Sequence, residues 1–355
     1  MRLRSVARLG SVSVTTSVLA TAAVITSLPA SASTAAAYKV VKTIKLGTST
    51  ASDDPTGITV AANGKTVYVA DQLSAFGAGG VTVISTAKNT VTTTITAGSV
   101  TANVALSPDG KTLYALNYNG DTLTQINVAT KRVTATINAG NQPAGLVFSP
   151  NGKTLYVVDS DQINNGTKGR VLVINAATRK IVKTIAVGTF PTGIASSPDG
   201  KNLYVAEQGP SGGPHRGAVQ VIPTATLKVS KTITTGYDTT GIAVAPNGKT
   251  IYTADSGAYT ASLGSISVIN AATGAVTKTV KDAGSPVQVA ISPDGGTLYV
   301  SNAIADTLSV LSTSTLAVTA TVKTGTQPDA IAVTPSGKAL YVTNQISSTA
   351  SVIAA

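Results

Sequence analysis

Hydrophobic and polar positions along this chain alternate in a phrase that returns seven times. Each copy has a short apolar segment, a Gly-Lys turn (Gly-Gly in one copy), and a Tyr-centred segment ending in Asp, Asn or Glu. The tyrosines are Tyr68, Tyr114, Tyr156, Tyr204, Tyr252, Tyr299 and Tyr341, spaced by 46, 42, 48, 48, 47 and 42 residues. A period of that size marks a stacked or circular array. Four segments are readable in each unit. The first, strand a, is short and apolar, as in Ala330 to Val333. A turn such as Ser107-Pro108-Asp109-Gly110-Lys111 follows, and Asp-Gly or Asn-Gly between apolar runs is a strong hairpin signal. Strand b carries the tyrosine (Thr154 to Asp159), a loop of variable length leads to strand c (Arg170 to Ile174), and strand d closes the unit on a glycine (Ile181 to Gly188).

Four antiparallel strands per unit predict an all-β, seven-bladed β-propeller. The chain lacks the 3.6-residue periodicity of an α-solenoid, and a β-helix needs shorter coils. A lone strand d, Val40 to Gly47, precedes the first complete unit, and the last unit stops after strand c at Ser351-Val352-Ile353. The N-terminal strand is therefore expected to join the C-terminal blade, closing the ring and removing two sheet edges.

Strand b of the last unit reads Tyr341-Val342-Thr343-Asn344, which resembles the signature of the YVTN family of β-propeller repeats. The Ser-Pro-Asp-Gly-Lys turns and the strand c phrase Val171 to Asn175 are similar to the same family, over about Tyr38 to Ala355. The resemblance implies secreted, periplasmic or surface-layer proteins. One related group looks like single-stranded DNA binders, and seven-bladed cousins include lactonases and a metal-dependent lyase. These motifs build blades, and a fold does not transmit a function.

Ahead of the repeats, Arg2, Arg4 and Arg8 precede an apolar run from about Val12 to Leu28 and then Ala30-Ser31-Ala32, a small-x-small cleavage site. This predicts a secretory signal peptide over 1–32, with a single propeller domain over 33–355 and export to the cell exterior or surface. An uncleaved anchor is the competing reading. The chain has no cysteine, so an exported fold must hold by core packing and strand pairing alone.

Charge is sorted by face. Loops a–b and c–d lie on one side of a propeller disc, and loops b–c and d–a on the other. The first side carries Lys65, Lys88, Lys111, Lys131, Arg132, Lys153, Arg179, Lys180, Lys201, Lys228, Lys249 and Lys338 against Asp109, Asp199 and Asp294. The second carries Asp53, Asp54, Asp71, Asp121, Asp159, Asp161, Glu207, Asp238, Asp255, Asp282, Asp306 and Asp329 against Lys168, Arg170 and Arg216. Strand d adds Lys39, Lys42, Lys45, Lys183, Lys231, Lys278, Lys281 and Lys323 at the rim. The expectation is a polarised disc with a basic face and rim and an acidic loop face, which would orient near a charged surface. The bland account is that turn lysines keep turns soluble and block edge association.

Loops b–c are long in blades 1, 3, 4 and 5. Phe76, Tyr118, Phe190, His215, Arg216, Tyr237 and Tyr259 stand on that side without being required by the repeat, and form the candidate ligand-binding set. Asp71, Asp159, Glu207 and Asp255 end strand b in four blades, and a ring of carboxylates suits Ca²⁺ or Mg²⁺. Asn117, Asn302 and Asn344 fill the same slot, which favours a structural role in starting the loop. His215 is the sole histidine, so neither a zinc site nor a well-positioned catalytic triad is evident.

These readings point to a secreted, non-catalytic binding or scaffold propeller, expected to be a monomer. Its basic face would meet cell-wall or other polyanions, and its loop face a small molecule or protein. The alternatives are a metal-dependent lyase or lactonase-like enzyme on the loop face, and single-stranded DNA binding through the basic face. Loop aromatics on the side away from the lysines weigh against the last.

Overall fold

The computed structural model describes residues 38–46, 54–72, 79–160, 168–209, 215–257, 264–281 and 284–355. They belong to one unit, Ala36–Ala355, while Met1–Ala35, and with it the predicted signal peptide, lies outside them. The described residues are all-β. Strand β1 (Lys39–Lys45) comes first. Blade 1 is β2 (Pro55–Val60), β3 (Thr66–Asp71), β4 (Gly79–Ser85) and β5 (Thr90–Gly98). Blade 2 is β6 (Thr101–Leu106), β7 (Thr112–Asn117), β8 (Thr122–Asn127) and β9 (Arg132–Asn138). Blade 3 is β10 (Pro143–Phe148), β11 (Thr154–Asp159), β12 (Lys168–Asn175) and β13 (Ile181–Thr189). Blade 4 is β14 (Pro191–Ser196), β15 (Asn202–Glu207), β16 (Arg216–Pro223) and β17 (Lys231–Tyr237). Blade 5 is β18 (Thr239–Val244), β19 (Thr250–Asp255), β20 (Ser265–Asn270) and β21 (Val276–Lys281). Blade 6 is β22 (Pro286–Ile291), β23 (Thr297–Asn302), β24 (Thr307–Ser312) and β25 (Val318–Lys323), and blade 7 opens with β26 (Pro328–Val333), β27 (Ala339–Asn344) and β28 (Thr349–Ala354).

Seven four-stranded antiparallel sheets result, and β1 completes the seventh in the order β1-β28-β27-β26. Its register runs from Lys39 opposite Ala354 to Lys45 opposite Thr349. The seven innermost strands neighbour one another in sequence, and β26 returns to β2, so the ring is closed as the repeat pattern predicted.

Burial follows radius. In every blade the strand that carries the tyrosine is buried from its second residue to its last. It is covered on both faces, which is why it reads as a continuous apolar run rather than an alternation. The outermost strands are mostly exposed and rich in Thr, Lys and Val. Apolar clusters sit between blades. One joins Tyr68, Ala70 and Val83 of blade 1 to Val104, Leu113 and Ala115 of blade 2, and another joins Val67 and Val69 to Tyr341 and Val352 of blade 7. Alternate side chains of one strand thus serve two different neighbours.

The Pro-x-Gly turn also has an inter-blade task. In Ser107 to Lys111, the Asp109 carboxylate accepts from the Ser107 hydroxyl (2.6 Å) and the Lys111 N–H (3.0 Å), while Gly110 takes φ +70°. Every turn except that of blade 1, which has Ala62 in place of the proline, packs its proline near the glycine of the next. Pro108 lies 3.2 Å from where a Cβ on Gly152 would stand, and Pro335 of blade 7 lies 3.7 Å from that position on Gly64 of blade 1. A second set of bonds reaches the backbone of innermost strands from the first or second strand of an adjacent blade. Thr56 donates to the carbonyl of Ala102 (2.7 Å), Thr240 to Val287 (2.8 Å), Ser301 to Asp329 (2.5 Å) and Thr343 to Thr56 (2.9 Å).

Candidate functional site

The four carboxylates at the ends of β3, β11, β15 and β19 stand in four different blades, and each is engaged inside the fold. All are buried, at 0–4 % exposure. Asp71 accepts from Thr82 (2.5 Å). Asp159 accepts from the N–H of Asn141 (2.9 Å) and pairs with Arg170 (2.7 Å). Glu207 accepts from the N–H of Gly188 (2.5 Å) and the amide of Gln220 (3.2 Å), and burial raises its pKa against those two bonds. Asp255 accepts from the N–H of Gly236 and from the hydroxyls of Thr239, Thr253, Ser265 and Ser267 at 2.6–3.2 Å.

The amide blades use the same geometry with reversed polarity. Asn117 donates to Thr122 and Thr124, Asn302 to Ser309, and Asn344 to Thr349 and Ser351 while accepting from the N–H of Gly325. A hydroxyl on the neighbouring strand serves either partner because it both donates and accepts. At Asn117, Asp159, Glu207, Asp255 and Asn344 the slot is also a latch that ties the end of the second strand to the end of the outer strand of the preceding blade or the residues just after it. Such carboxylates are not free to ligate Ca²⁺ or Mg²⁺, which asks for six to eight oxygens on one ion. Among the described residues no three His, Cys, Asp or Glu side chains converge as a metal site. The donor set does not fit a divalent ion.

Of the candidate ligand-binding residues, Phe76 and Tyr259 lie outside the described residues. His215, Arg216 and Tyr237 come together in blade 4. Arg216 pairs with Tyr237 across β16 and β17, its guanidinium lies 5.0 Å from the tyrosine ring centre, and it donates to the carbonyl of Thr235 (3.1 Å). The carbonyl of His215 accepts from the N–H of Asp238 (3.1 Å). Tyr118 and Phe190 stand apart, in positions the repeat does use. Val100, Gln142, Phe190, Asp238, Ser285 and Gln327 each precede an innermost strand with φ between 48° and 59°. Their carbonyls receive the residue after the tyrosine strand, as in Tyr118 to Val100 (2.8 Å) and Gln208 to Phe190 (3.1 Å).

Two features of this face escaped sequence reasoning. Ile304 and Ile346, on the short turns of blades 6 and 7, are 64 % and 61 % exposed, and Ile346 follows Gln345, whose amide pairs with that of Gln327 (2.8 Å). An apolar residue in an otherwise polar turn was the available signal. Asp329 is the second residue of β26, a slot that holds Thr56, Ala102, Ala144, Thr192, Thr240 and Val287 elsewhere. Burial pushes its carboxyl up to about 7.

The polarised disc also changes. All twelve cations of the turn face and all eight lysines of the rim are exposed. The three acids of the turn face are exposed as well, each held below the usual carboxylate range by a turn serine and a backbone N–H. On the opposite face Asp71, Asp159, Glu207, Asp238 and Asp255 are buried, and Asp54, Asp121, Asp306 and Asp329 are half-buried. Asp121 and Asp306 each accept the N–H of a glutamine in the following blade, Gln142 and Gln327 (both 2.8 Å). Asp53, Asp161 and Asp282 lie outside the described residues. Among the described residues the loop face is thus not an open acidic surface, because most of their acid is built into the blades.

Residues 30–135, 82–167 and 258–355 match the model of the seven-bladed β-propeller lactonase family. The chain belongs to that family. The hydrazine synthase of Kuenenia stuttgartiensis is a structural neighbour, with a TM-score of 0.77 over 87 % of this chain and 97 % of that chain. Its 22 % identity carries a likeness of fold alone. The comparison with curated proteins returned no match.

Proposed function

We propose that this lactonase-family propeller is an exported, non-catalytic binding protein that docks on polyanionic surfaces, such as cell-wall polymers, through its turn face and rim. One observation carries the reading. Every cation of that face and rim is in solvent, whereas none of the described acids opposite is fully exposed. The chain's formal charge is +11, and +8 remains once Arg2, Arg4 and Arg8 are removed with the predicted leader. The cations are therefore available for direct contact with a polyanion, while the described acids are not placed to repel it on that side. Nucleic acid fits less well, because the seven repeat tyrosines are only 1–5 % exposed and offer no stacking platform. Binding to isolated cell walls and to polyphosphate beads at low salt, followed across a salt titration, tests the reading. Affinity should fall steeply, by roughly a thousand-fold between about 50 and 200 mM salt if about six charges engage. Absent binding at low salt, or binding indifferent to salt, counts against it.

The family match favours a second reading, lactonase-like hydrolysis at the loop face without the carboxylate ring. Asp329, a carboxyl poised near neutrality at the start of an innermost strand, is the group we assign as its general base. Lactone hydrolysis that rises through about pH 7 and disappears in Asp329→Asn is the outcome it requires.

A further inference from the structure

Shallow clefts recur between adjacent blades on the turn face, at blades 1 and 2, 2 and 3, 4 and 5, and 7 and 1. Each is walled by one blade's turn and the next blade's turn, with the tyrosine of the first at its floor. The cleft between blades 2 and 3 has a volume of about 280 Å³ and differs in its chemistry. Tyr114 is 1 % exposed, and its buried hydroxyl has no hydrogen-bond partner. The ring is set edge-on against Phe148, with centres 5.6 Å apart, and both side chains line the cleft. A buried phenol without a partner is costly, so the position calls for a polar group from outside the fold.

The repeat supplies its own comparison. At blades 7 and 1, Tyr341 donates to Asn89 (2.6 Å), the residue with φ +50° in the outer turn of blade 1. The residue with φ +62° in the corresponding turn of blade 3 is Arg179. Its guanidinium is near enough to Tyr114 to pull the phenol's pKa down against the stronger upward push of burial. Arg179 bonds instead to Gln125 across a long 3.4 Å contact. Where one interface has a satisfied phenol and an amide, this one has an unsatisfied phenol beside a cation. Those two donors together match a carboxylate. Asp109 and Asn151 line the same cleft. The Asn151 carbonyl oxygen is taken by Ser149 and the N–H of Lys153, which leaves its amide group as a donor, and the Asp109 carboxylate is an acceptor. Donors and acceptors in that mixture match the hydroxyls of a sugar ring.

We propose that this cleft binds one acidic sugar unit of an anionic polysaccharide, its carboxylate on Tyr114 and Arg179 and its hydroxyls on Asp109 and Asn151. The proposal rests on the polyanion reading and gives it a chemical class. Exposed Lys111 and Lys153 flank the cleft, and the neighbouring clefts continue around the face, so a chain held in one meets others at high effective concentration.

The test uses two probes, trigalacturonate in solution and immobilised polyphosphate, with the wild type, Tyr114→Phe and Arg179→Gln. Trigalacturonate affinity should fall roughly two- to ten-fold in Tyr114→Phe, the size of one lost hydrogen bond. Arg179→Gln should lose at least as much. Polyphosphate binding should stay as it was in Tyr114→Phe, and the unfolding midpoint of that variant should be unchanged or raised, since it deletes an unpartnered hydroxyl. Unchanged trigalacturonate affinity in Tyr114→Phe, or no trigalacturonate binding by the wild type, overturns the cleft. So does a lowered midpoint, which would mean that the fold itself uses the hydroxyl. If the wild type ignores polyphosphate, the polyanion reading falls, while the trigalacturonate titration still judges the cleft by itself.

Discussion

Asp329 and Asp255 are both acids of this fold, yet their surroundings set them to opposite uses. Asp255 is fully buried and stable there because two backbone or side-chain donors or more reach each of its oxygens. Asp329 has desolvation as the sole cause of its shift, up to about 7. A carboxyl raised in the folded state holds its proton where the unfolded chain has lost it, so its ionisation costs stability. The cost is absent below the ordinary value of 3.8, grows between there and about 7, and is complete above. Asp329→Asn should therefore melt above the wild type at pH 8, by about a few degrees, and the two curves should converge near pH 4. Thermal unfolding followed by circular dichroism at the two pH values checks this, and equal midpoints at pH 8 would show that the carboxyl is not desolvated.

Between elements, the glycine at the end of an outer strand is explained by the latch in the next blade. A Cβ on Gly188 would overlap the Glu207 carboxylate, and one on Gly98 would overlap Asn117. Neither glycine is needed for a left-handed backbone. Both are needed for the close approach that lets a buried side chain reach the outer strand. Gly188→Ala should cost about 1–3 kcal/mol in a denaturant titration, because strand and latch have to move apart. A variant as stable as the wild type would mean that Glu207 relaxes freely. From sequence, the acid or amide and the glycine were visible as two regularities of the repeat. Their contact was not, since they lie 19 residues apart and in adjacent blades.

For the molecule as a whole, closure rests on β1, whose seven residues turn a three-stranded blade into a complete one. Deleting Tyr38 to Gly47 should lower the melting temperature sharply, exposing a long edge on β28 and uncovering the cluster that holds Ile44 and Leu46. An unchanged melting temperature would mean that the ring holds without its closing strand. The blade number, the strand order and the closing strand were all legible in the chain, because each depends on local signals repeated seven times: turn glycines, alternation and period. The direction of the charges around the disc was legible too, since strand alternation assigns every loop to a face. Their exposure was not. Asp159 and Lys153 look alike as polar ends of one strand, yet the first is sealed between blades and the second stands in solvent. Likewise Tyr114 and Tyr341 are the same letter of the repeat, and only the fold shows that one meets Asn89 and the other an open cleft beside Arg179. Period and turn chemistry determine the architecture because they are properties of neighbouring residues. Burial, partner and pKa were decided by the tertiary structure, because they depend on what the adjacent blade brings across the interface.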